Sequence, residues 1–284
     1  LATRVTIHNC IIHNIWQRGV KGVGVPKQDR ERLRPTDCRI RYCLFYNDRP
    51  KRYSDDPADT PDNFRGNYVG GIDVMYPKGW TISDNVFIGI QGRTREARGA
   101  VFLWHDAQDC IVQRNAFIDC DSGVCLGNSH RGPETEIHCT GCIVRNNFVT
   151  RCPEQGILAD YTRDCRILHN TVHDPESRLK RLIRIVHTAD GLRVANNLLS
   201  GPPMRVETTS RVLFQDNVTG DRTADFVDAA AGDLHLARRV PGVVDAAKPV
   251  GEVTHDFDHR RRDDRPDIGA HELSVAAPRP APGE

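Results

Sequence analysis

The sequence has few aromatic side chains, no excess of either charge and no long apolar run. Aromatic residues make up 6% of the 284 residues, and the formal net charge is +1 at pH 7. With balanced charge the chain has no excess of basic residues to bind nucleic acid, so we expect no nucleic-acid partner. No stretch approaches the roughly 18 apolar residues of a membrane-spanning helix, so we expect no membrane span.

A helical period is also missing, and a repeat stands in its place. The segments Cys110–Cys120, Cys142–Cys152 and Cys165–Asp174 superimpose without gaps. Each has an apolar residue two places after its start and an asparagine five places after it. The recurring asparagines along the chain are Asn85, Asn115, Asn147, Asn170, Asn197 and Asn217. Two earlier units carry Cys10 and Cys43 at this place.

Alternation inside each unit predicts short strands. Cys110 and Val112 fall on one face of the first strand, with Ile111 between them on the other. A further run, such as Gly99–His105, precedes each unit. Each unit is therefore strand, bend, strand, connection, strand, and like strands of stacked units would pair in parallel about 4.8 Å apart. A repeat of this size predicts a solenoid.

The asparagines explain the bends. Asparagine tolerates the left-handed conformation, and stacked amides can bond each other in a row. This pattern resembles the right-handed parallel β-helix proteins, whose asparagine ladders occupy one such corner, and the resemblance covers roughly residues 5–220. It implies an all-β fold of about seven or eight coils. The alternative is a β-sandwich with coincidental asparagine turns, which eight units in one frame make difficult to sustain.

The C-terminal stretch has a different pattern. Asp256–Glu272 resembles the terminal segment of many bacterial secreted β-helix proteins, which carries an Asp-x-Asp-Gly-x-x-Arg run and then Asp-Ile-Gly-Ala-aromatic-Glu. Here His259 replaces the glycine and His271 replaces the aromatic residue. We expect this segment to cap the last coil. The predicted division is a β-helix at 1–220, a C-terminal cap at 221–274 and a disordered Pro-rich tail at 275–284.

The first predicted strand begins close to Leu1, at residue 5. An open parallel edge invites aggregation, so we expect preceding residues or another chain to cover the first coil. No signal sequence is visible, and the resemblance implies a secreted, periplasmic or cell-surface protein whose leader has been removed.

Ten cysteines could form a disulfide scaffold, but their positions favour an interior stack of thiols. Four of them share one place in successive frames, namely Cys38, Cys110, Cys142 and Cys165. Cys120 and Cys152 also coincide. Some of these pairs could still be bridged. Cys139 and Cys142 form a lone CxxC motif, which is weak evidence for zinc.

Polar residues end the strand that precedes successive units. Counting back five residues from each start gives His105, Asp160, His187 and Glu207. His187 would lie between Asp160 and Glu207, one coil from each, which suits acid/base work or metal ligation. The two acids would be roughly 9 to 10 Å apart, which is near the upper limit for an inverting glycosidase and too wide for a retaining one. Solvent exposure alone would also explain a polar row at strand ends.

Further candidates lie near the same corner. Lys78 and Tyr161 are additional candidate bases. The candidate substrate-binding residues are Trp104, Arg184, Arg205, Asp73 and Asn128. Oxygen donors of Asp160, Asn128 and Asp106 could hold Ca²⁺. Residues 19–37, 47–70, 91–98 and 129–141 leave the repeat frame and are expected to wall a cleft over the coils around 70–187.

Fold does not fix function, so the activity rests on the resemblance. It implies a secreted carbohydrate-active enzyme that acts on a polysaccharide or oligosaccharide, and we favour a polysaccharide lyase. A glycoside hydrolase that uses Asp160 and Glu207, a sugar epimerase and a non-catalytic glycan-binding or adhesive solenoid stay open. The sequence has neither the Asp-Asp and Gly-His-Gly pattern of polygalacturonases nor the Arg-rich signature of pectate lyases.

Overall fold

The computed structural model describes residues 3–132 and 135–273. In these ranges the chain winds through three parallel sheets, here named A, B and C, with strands numbered along the chain from β1 to β27. Sheet A contains Thr6–His8 (β1), Arg39–Arg41 (β4), Thr81–Ser83 (β7), Ile111–Gln113 (β11), Ile143–Arg145 (β15), Arg166–Leu168 (β18), Arg193–Ala195 (β21) and Leu213–Gln215 (β24). Sheet B contains Ile11–His13 (β2), Leu44–Tyr46 (β5), Val86–Ile88 (β8), Ala116–Ile118 (β12), Phe148–Thr150 (β16), Thr171–His173 (β19), Leu198–Ser200 (β22) and Val218–Thr219 (β25).

The third strand of each coil belongs to sheet C. This sheet contains Arg18–Gly22 (β3), Gly70–Met75 (β6), Gly99–Trp104 (β9), Ser122–Leu126 (β13), Gln155–Arg163 (β17), Ile183–Asp190 (β20) and Arg205–Val206 (β23), with short strands Ala107–Gln108 (β10) and Cys139–Thr140 (β14) at one end. Phe226–Asp228 (β26) and Asp233–Leu236 (β27) form an antiparallel hairpin. The helical segments are Arg30–Leu33 (α1) and the 3₁₀ turns Lys27–Asp29, Tyr53–Asp55, Phe64–Gly66 and Thr223–Asp225.

Strict register between the coils in sheets A and B stacks like residues inside the solenoid. Val112 pairs with Ile82 on one side and with Val144 on the other, and all three side chains are fully buried. On sheet B the Phe87 ring stacks on the Phe45 and Phe117 rings at 4.8 and 4.9 Å between centroids. The core is therefore a column of apolar layers, and the predicted all-β parallel β-helix is confirmed.

The predicted asparagine ladder is present at the corner between sheets A and B. The Asn115 Nδ2 donates to Asn147 Oδ1 at 3.0 Å, and the Asn147 Nδ2 donates to Asn170 Oδ1 at 2.9 Å. The same bonds continue from Asn85 to Asn217. At the start of the row the Cys43 N–H donates to Asn85 Oδ1 at 3.0 Å. The ladder satisfies buried backbone groups that a bend would otherwise leave unpaired.

Replacing Asn147 with alanine should destabilise the fold by about 1–3 kcal/mol, because it leaves buried hydrogen-bonding groups without partners. The side chain is fully buried, and its amide also donates to the Val112 and Arg145 carbonyls at 3.0 Å. Urea denaturation would measure the loss. Asn217→Ala is the matched control, because this ladder residue has a neighbouring amide on one side only among the described residues, and it should lose less. Equal losses would contradict the ladder argument.

The ten cysteines are all free thiols, and nine of them are buried. Cys110 and Cys142 lie at matching positions of neighbouring coils, directly before the paired residues Ile111 and Ile143. The prediction of interior thiols is thus confirmed for this stack, where cysteine acts as a small apolar side chain. Cys10 is the exposed exception.

The C-terminal segment, which the sequence predicts as a cap over the last coil, packs against the side of the solenoid. It runs along the outside of sheets A and B, where Phe257 stacks on Phe148 and the Gly269 N–H donates to the Asn196 carbonyl at 2.8 Å. The last coil keeps Leu213 and Phe214 half exposed. The segment follows the solenoid's side because its apolar residues pack on outward residues of coils well before the end.

The segment is fixed by a buried ion pair. The Arg262 guanidinium bonds the Glu272 carboxylate at 2.8 Å and the Asn146 Oδ1 at 3.0 Å, so the terminal Asp-Ile-Gly-Ala-His-Glu signature serves attachment. The predicted disordered tail lies outside the described residues. Among the described residues, no helix has both the length and the apolar character that a membrane crossing requires.

Candidate functional site

The outward side of sheet C combines an apolar strip with charged ends. Asp73 pairs in register with Phe102, and the row continues through Cys125 and Leu158 to Arg184. The central residues of this row, with Val186, form a buried apolar cluster against Trp104. This apolar strip separates two polar clusters, one over the early coils and one at the later coils.

The first cluster lies in a groove of about 780 Å³ over the early coils. The predicted substrate-binding residues Trp104, Asp73 and Asn128 line it. Its walls come from the predicted insertions 47–70 and 91–98, and His130 adds part of a third insertion. The cavity falls in the volume range of ligand-binding sites, which makes it the default binding site.

Asp73 organises the floor of this groove. Its carboxylate is 1% exposed and accepts bonds from Arg18 Nε at 2.5 Å, Lys21 Nζ at 2.8 Å and Trp104 Nε1 at 2.8 Å. The Arg18 guanidinium stacks on the Tyr68 ring at 3.8 Å. Because two cations and an indole saturate it, Asp73 positions its neighbours rather than contacting a ligand directly.

One wall of the groove contains a strained turn. Phe64 and Arg65 both have left-handed backbones, with φ of 58° and 55°. Such conformations are costly for residues other than glycine, and they persist only where the surroundings enforce them. The turn presents the Phe64 ring, which is 52% exposed, at the rim of the groove.

A buried lysine holds this turn in place. Lys51 Nζ is fully buried and bonds Asp59 at 2.9 Å, Asp56 at 3.2 Å and the Tyr68 carbonyl at 2.9 Å. Asp59 in turn accepts the Gly66 N–H at 2.6 Å and the Tyr68 N–H at 2.9 Å. Lys51, Asp56 and Asp59 therefore form a buried triad that connects the two ends of the wall segment, residues 51–68.

The second cluster is an Asp160–His187 couple at the later coils. A register shift between β17 and β20 pairs Asp160 with Val186 but Thr162 with Ala189. His187 takes a left-handed backbone at this bulge, and its Nδ1 lies 2.8 Å from Asp160 Oδ1. The Asp160 side chain is 3% exposed, whereas that of His187 is 42% exposed.

This contact fixes the chemistry of the imidazole. Because the carboxylate accepts the Nδ1 proton, neutral His187 carries its lone pair on Nε2, as a general base requires. The Tyr161 ring stacks on the imidazole with centroids 4.6 Å apart. Burial raises the pKa of Asp160, while its hydrogen bond to His187 opposes that shift.

Glu207 does not share this histidine, which corrects the predicted arrangement of His187 between two acids. It bonds Arg184 at 2.6 Å and Arg205 at 2.8 Å instead. The bond from Arg184 lowers the pKa of Glu207. The two arginines explain the difference, because they engage the Glu207 carboxylate and leave His187 bonded to Asp160 alone.

The comparison with known families agrees with this architecture. A family model described as the right handed beta helix region matches residues 2–199, which is more than half of the chain. The chain belongs to the right-handed β-helix family. No curated protein matches the sequence.

Two other predicted residues of this β-helix lie outside both clusters. His105 Nδ1 lies 2.8 Å from Thr135 Oγ1, and burial, with repulsion from His130, lowers the pKa of His105 to about 4. Lys78 is exposed and forms isolated β-bridges with Thr36 and Gln108, and it does not line the groove.

The predicted calcium donors do not form one site. Asp106 bonds Arg34 at 2.5 Å, Asn128 Oδ1 accepts the His130 N–H at 2.8 Å, and Asp160 holds His187. Each oxygen set is thus satisfied by a different partner, and the arrangement does not fit Ca²⁺, which takes six to eight oxygen ligands.

Among the described residues, Asp256, Asp258 and His271 are the one group with metal-ligand spacing. The Leu236 N–H donates to His271 Nδ1 at 3.0 Å, so neutral His271 carries its proton on Nε2 and has no free lone pair there. Asp256 accepts the N–H groups of Asp258 and Arg260 at 2.9 and 2.8 Å. This group closes a turn of the C-terminal segment.

Sequence reasoning missed Arg18, Lys21 and Tyr68, which complete the groove floor. Arg18 and Asp73 are 55 residues apart in the chain and meet only because β3 stacks on β6. The alternation of β3 could have placed Lys21 on the outward side. Nothing in the local sequence points to Tyr68, which the insertion 47–70 places in the groove.

Proposed function

We propose that this β-helix is a secreted enzyme that binds an extended acidic polysaccharide along sheet C and cleaves it by β-elimination. The observation that carries the proposal is the Asp160–His187 couple. Its half-exposed imidazole and the groove lie on opposite sides of the apolar strip. Trp104 and Asp160 lie on strands two coil spacings apart, about 10 Å. A bound chain can span that distance.

The groove supports a sugar ligand with carboxylate groups. Trp104, Tyr68 and Phe64 supply broad apolar faces. Arg65 and Arg98 are exposed at the groove and have no carboxylate partner among the described residues. These arginines can bind planar carboxylates with two hydrogen bonds, which favours uronate units over neutral sugars.

The proposed reaction needs one base and one acid. His187 Nε2 takes the proton from the carbon beside the uronate carboxylate. The released electron pair forms the new carbon–carbon double bond, and the adjacent carbon–oxygen bond of the glycosidic link breaks. The leaving oxygen then takes a proton, for which the Tyr161 hydroxyl is the candidate donor. Arg131, which lies over the Tyr161 ring at 4.7 Å, can neutralise the substrate carboxylate.

The geometry favours this reaction over hydrolysis by Asp160 and Glu207. A hydrolase needs one carboxylic acid whose pKa is raised, so that it protonates the leaving oxygen. Arg184 lowers the pKa of Glu207. Burial raises the pKa of Asp160, but its side chain is only 3% exposed and its Oδ1 bonds His187, so it is not presented to a substrate oxygen. Neither acid is arranged as a proton donor.

Replacing Glu207 with glutamine should therefore leave the rate of chain cleavage within about twofold of wild type, because exposed ion pairs contribute little. An inverting hydrolase would lose activity by several orders of magnitude with the same change. Initial rates on the best substrate of a polysaccharide panel would decide between them.

The decisive experiment is a panel of uronate-containing and neutral polysaccharides, followed by ultraviolet absorbance and by reducing-end assay. A lyase generates both signals from acidic polymers. Reducing ends without absorbance would instead show hydrolysis. Binding with neither signal would show a glycan-binding module, and exchange of solvent deuterium into an uncleaved polymer would show an epimerase.

A further inference from the structure

A second charged surface lies on the outward side of sheet A. Two adjoining cavities of about 260 and 320 Å³ share Arg114 and His259 in their linings. We call the combined feature the sheet A trough, defined by Arg39, Arg41, Arg114, Arg145, His255 and His259. It is separate from the sheet C groove, with which it shares none of these residues.

The C-terminal segment builds one wall of the trough. It attaches to the ladder corner where Asn146 Nδ2 donates to the His255 carbonyl at 2.7 Å. From there His259 reaches back to Asp84, with its Nε2 2.8 Å from the carboxylate. Sheet A forms the floor. The C-terminal segment does not cover its earlier strand β4, where Arg39 and Arg41 are exposed.

The acids of the trough are already neutralised. Asp84 binds Arg114 Nε at 2.8 Å and His259 at 2.8 Å. Glu252 pairs with Arg166 at 3.1 Å. The trough therefore has no acid left to balance its remaining cations.

Three arginines lack a carboxylate partner among the described residues. Arg39 and Arg41 are exposed side chains two residues apart on β4. Arg145 donates to Gln113 Oε1 at 2.8 Å and to the Glu252 carbonyl. Burial, followed by repulsion from Arg114, lowers the pKa of Arg145. An anion beside Arg145 would relieve that repulsion.

We propose that the sheet A trough binds a second segment of an acidic polysaccharide through its carboxylate or sulfate groups. Arg41 and Arg145 are three coil spacings apart, about 14 Å, and Arg39 is about 7 Å from Arg41 along the strand. Cations repeated over this length match a polymer with repeated anions better than a single small anion.

A glycan fits the trough better than a nucleic acid. Grooves for single strands present successive aromatic rings to the bases, whereas Tyr42 is the one aromatic ring other than histidine among the residues that line these cavities. The inference does not rest on the lyase proposal, because a binding surface here would serve a catalytic or a non-catalytic β-helix equally.

The test is calorimetric binding of a heparin-derived decasaccharide to the full chain at low and at physiological salt. Wild type should bind, with an affinity that falls as salt rises. The double variant Arg39→Ser/Arg41→Ser should weaken binding roughly three- to tenfold, in line with two partly exposed ion pairs. Both side chains are exposed, and circular dichroism would verify that the variant is folded.

Three controls make the result decisive. Arg211→Ser removes an exposed arginine outside the trough and should bind as wild type does. A neutral maltodecaose should not bind. Trp104→Ala changes the sheet C groove, so a loss there with none in the double variant would place the ligand in the groove and overturn the inference. Equal losses in Arg211→Ser, or tighter binding of a ten-nucleotide single strand, would also overturn it.

Discussion

Replacing His187 with alanine should reduce turnover of the acidic polysaccharide by about 10²- to 10⁴-fold, the usual contribution of a general base. The proposed mechanism routes the proton through Nε2, and no other imidazole among the described residues pairs its Nδ1 with a carboxylate on sheet C. The variant should keep its melting temperature to within a few degrees, because the side chain is 42% exposed. Initial rates and a thermal melt would measure both effects.

His13→Ala is the matched control. His13 is also exposed, and it stacks on Tyr46 with centroids 5.1 Å apart, as His187 does on Tyr161. It lacks a carboxylate partner among the described residues, so its removal should leave turnover unchanged. Asp160→Asn should lower turnover by a similar order as His187→Ala, because an amide can donate to Nδ1 and shift the imidazole proton to Nε2. Full activity of the His187 variant would refute the assignment.

Replacing Lys51 with methionine should open the groove wall at a cost of about 3–5 kcal/mol, because it leaves two buried carboxylates without their cation. Asp59 is fully buried and Asp56 is 3% exposed, so water cannot replace the ammonium. The loss should be local. Hydrogen exchange of residues 51–68 should accelerate strongly, while the ladder strands β15 and β18 keep their protection.

Lys27→Met is the control for this prediction, since Lys27 is exposed in an early loop outside the groove lining. It should leave exchange in the wall unchanged. Binding of the preferred polysaccharide should weaken in Lys51→Met, because Phe64 and Tyr68 lose their support. Unaltered exchange across the wall in Lys51→Met would show that the buried triad does not hold it.

The repeating parts of the fold could be predicted because their causes are local. Each asparagine of the ladder lies five places after the start of its frame, and its bonds to the next coil follow once the frames are stacked. Strand alternation likewise placed Val112 inside. The path of the C-terminal segment could not be predicted this way, because Gly269 and Asn196 are 73 positions apart and no pattern links them.

The candidate site was predictable only in part. Asp160 and His187 were identified from their places at strand ends, but the ion pairs that hold Glu207 away from His187 and the one-residue register shift beside Asp160 were not. A sequence frame cannot show a bulge of this kind, since the shift depends on how neighbouring coils pair. The groove floor depends on contacts among Asp73, Arg18 and Tyr68, which the coil stacking and the loop create.

The lateral course of the C-terminal segment has a consequence for how the molecule unravels. Coils of a solenoid contact only their neighbours, so the array can fray one unit at a time from either end. Here the C-terminal segment contacts both Asp84 of an early coil and Asn196 of a late one, and so acts as a strap along the side of the coils. Fraying past the last coil must first detach this strap, so the intervening coils should come apart together, in one cooperative step.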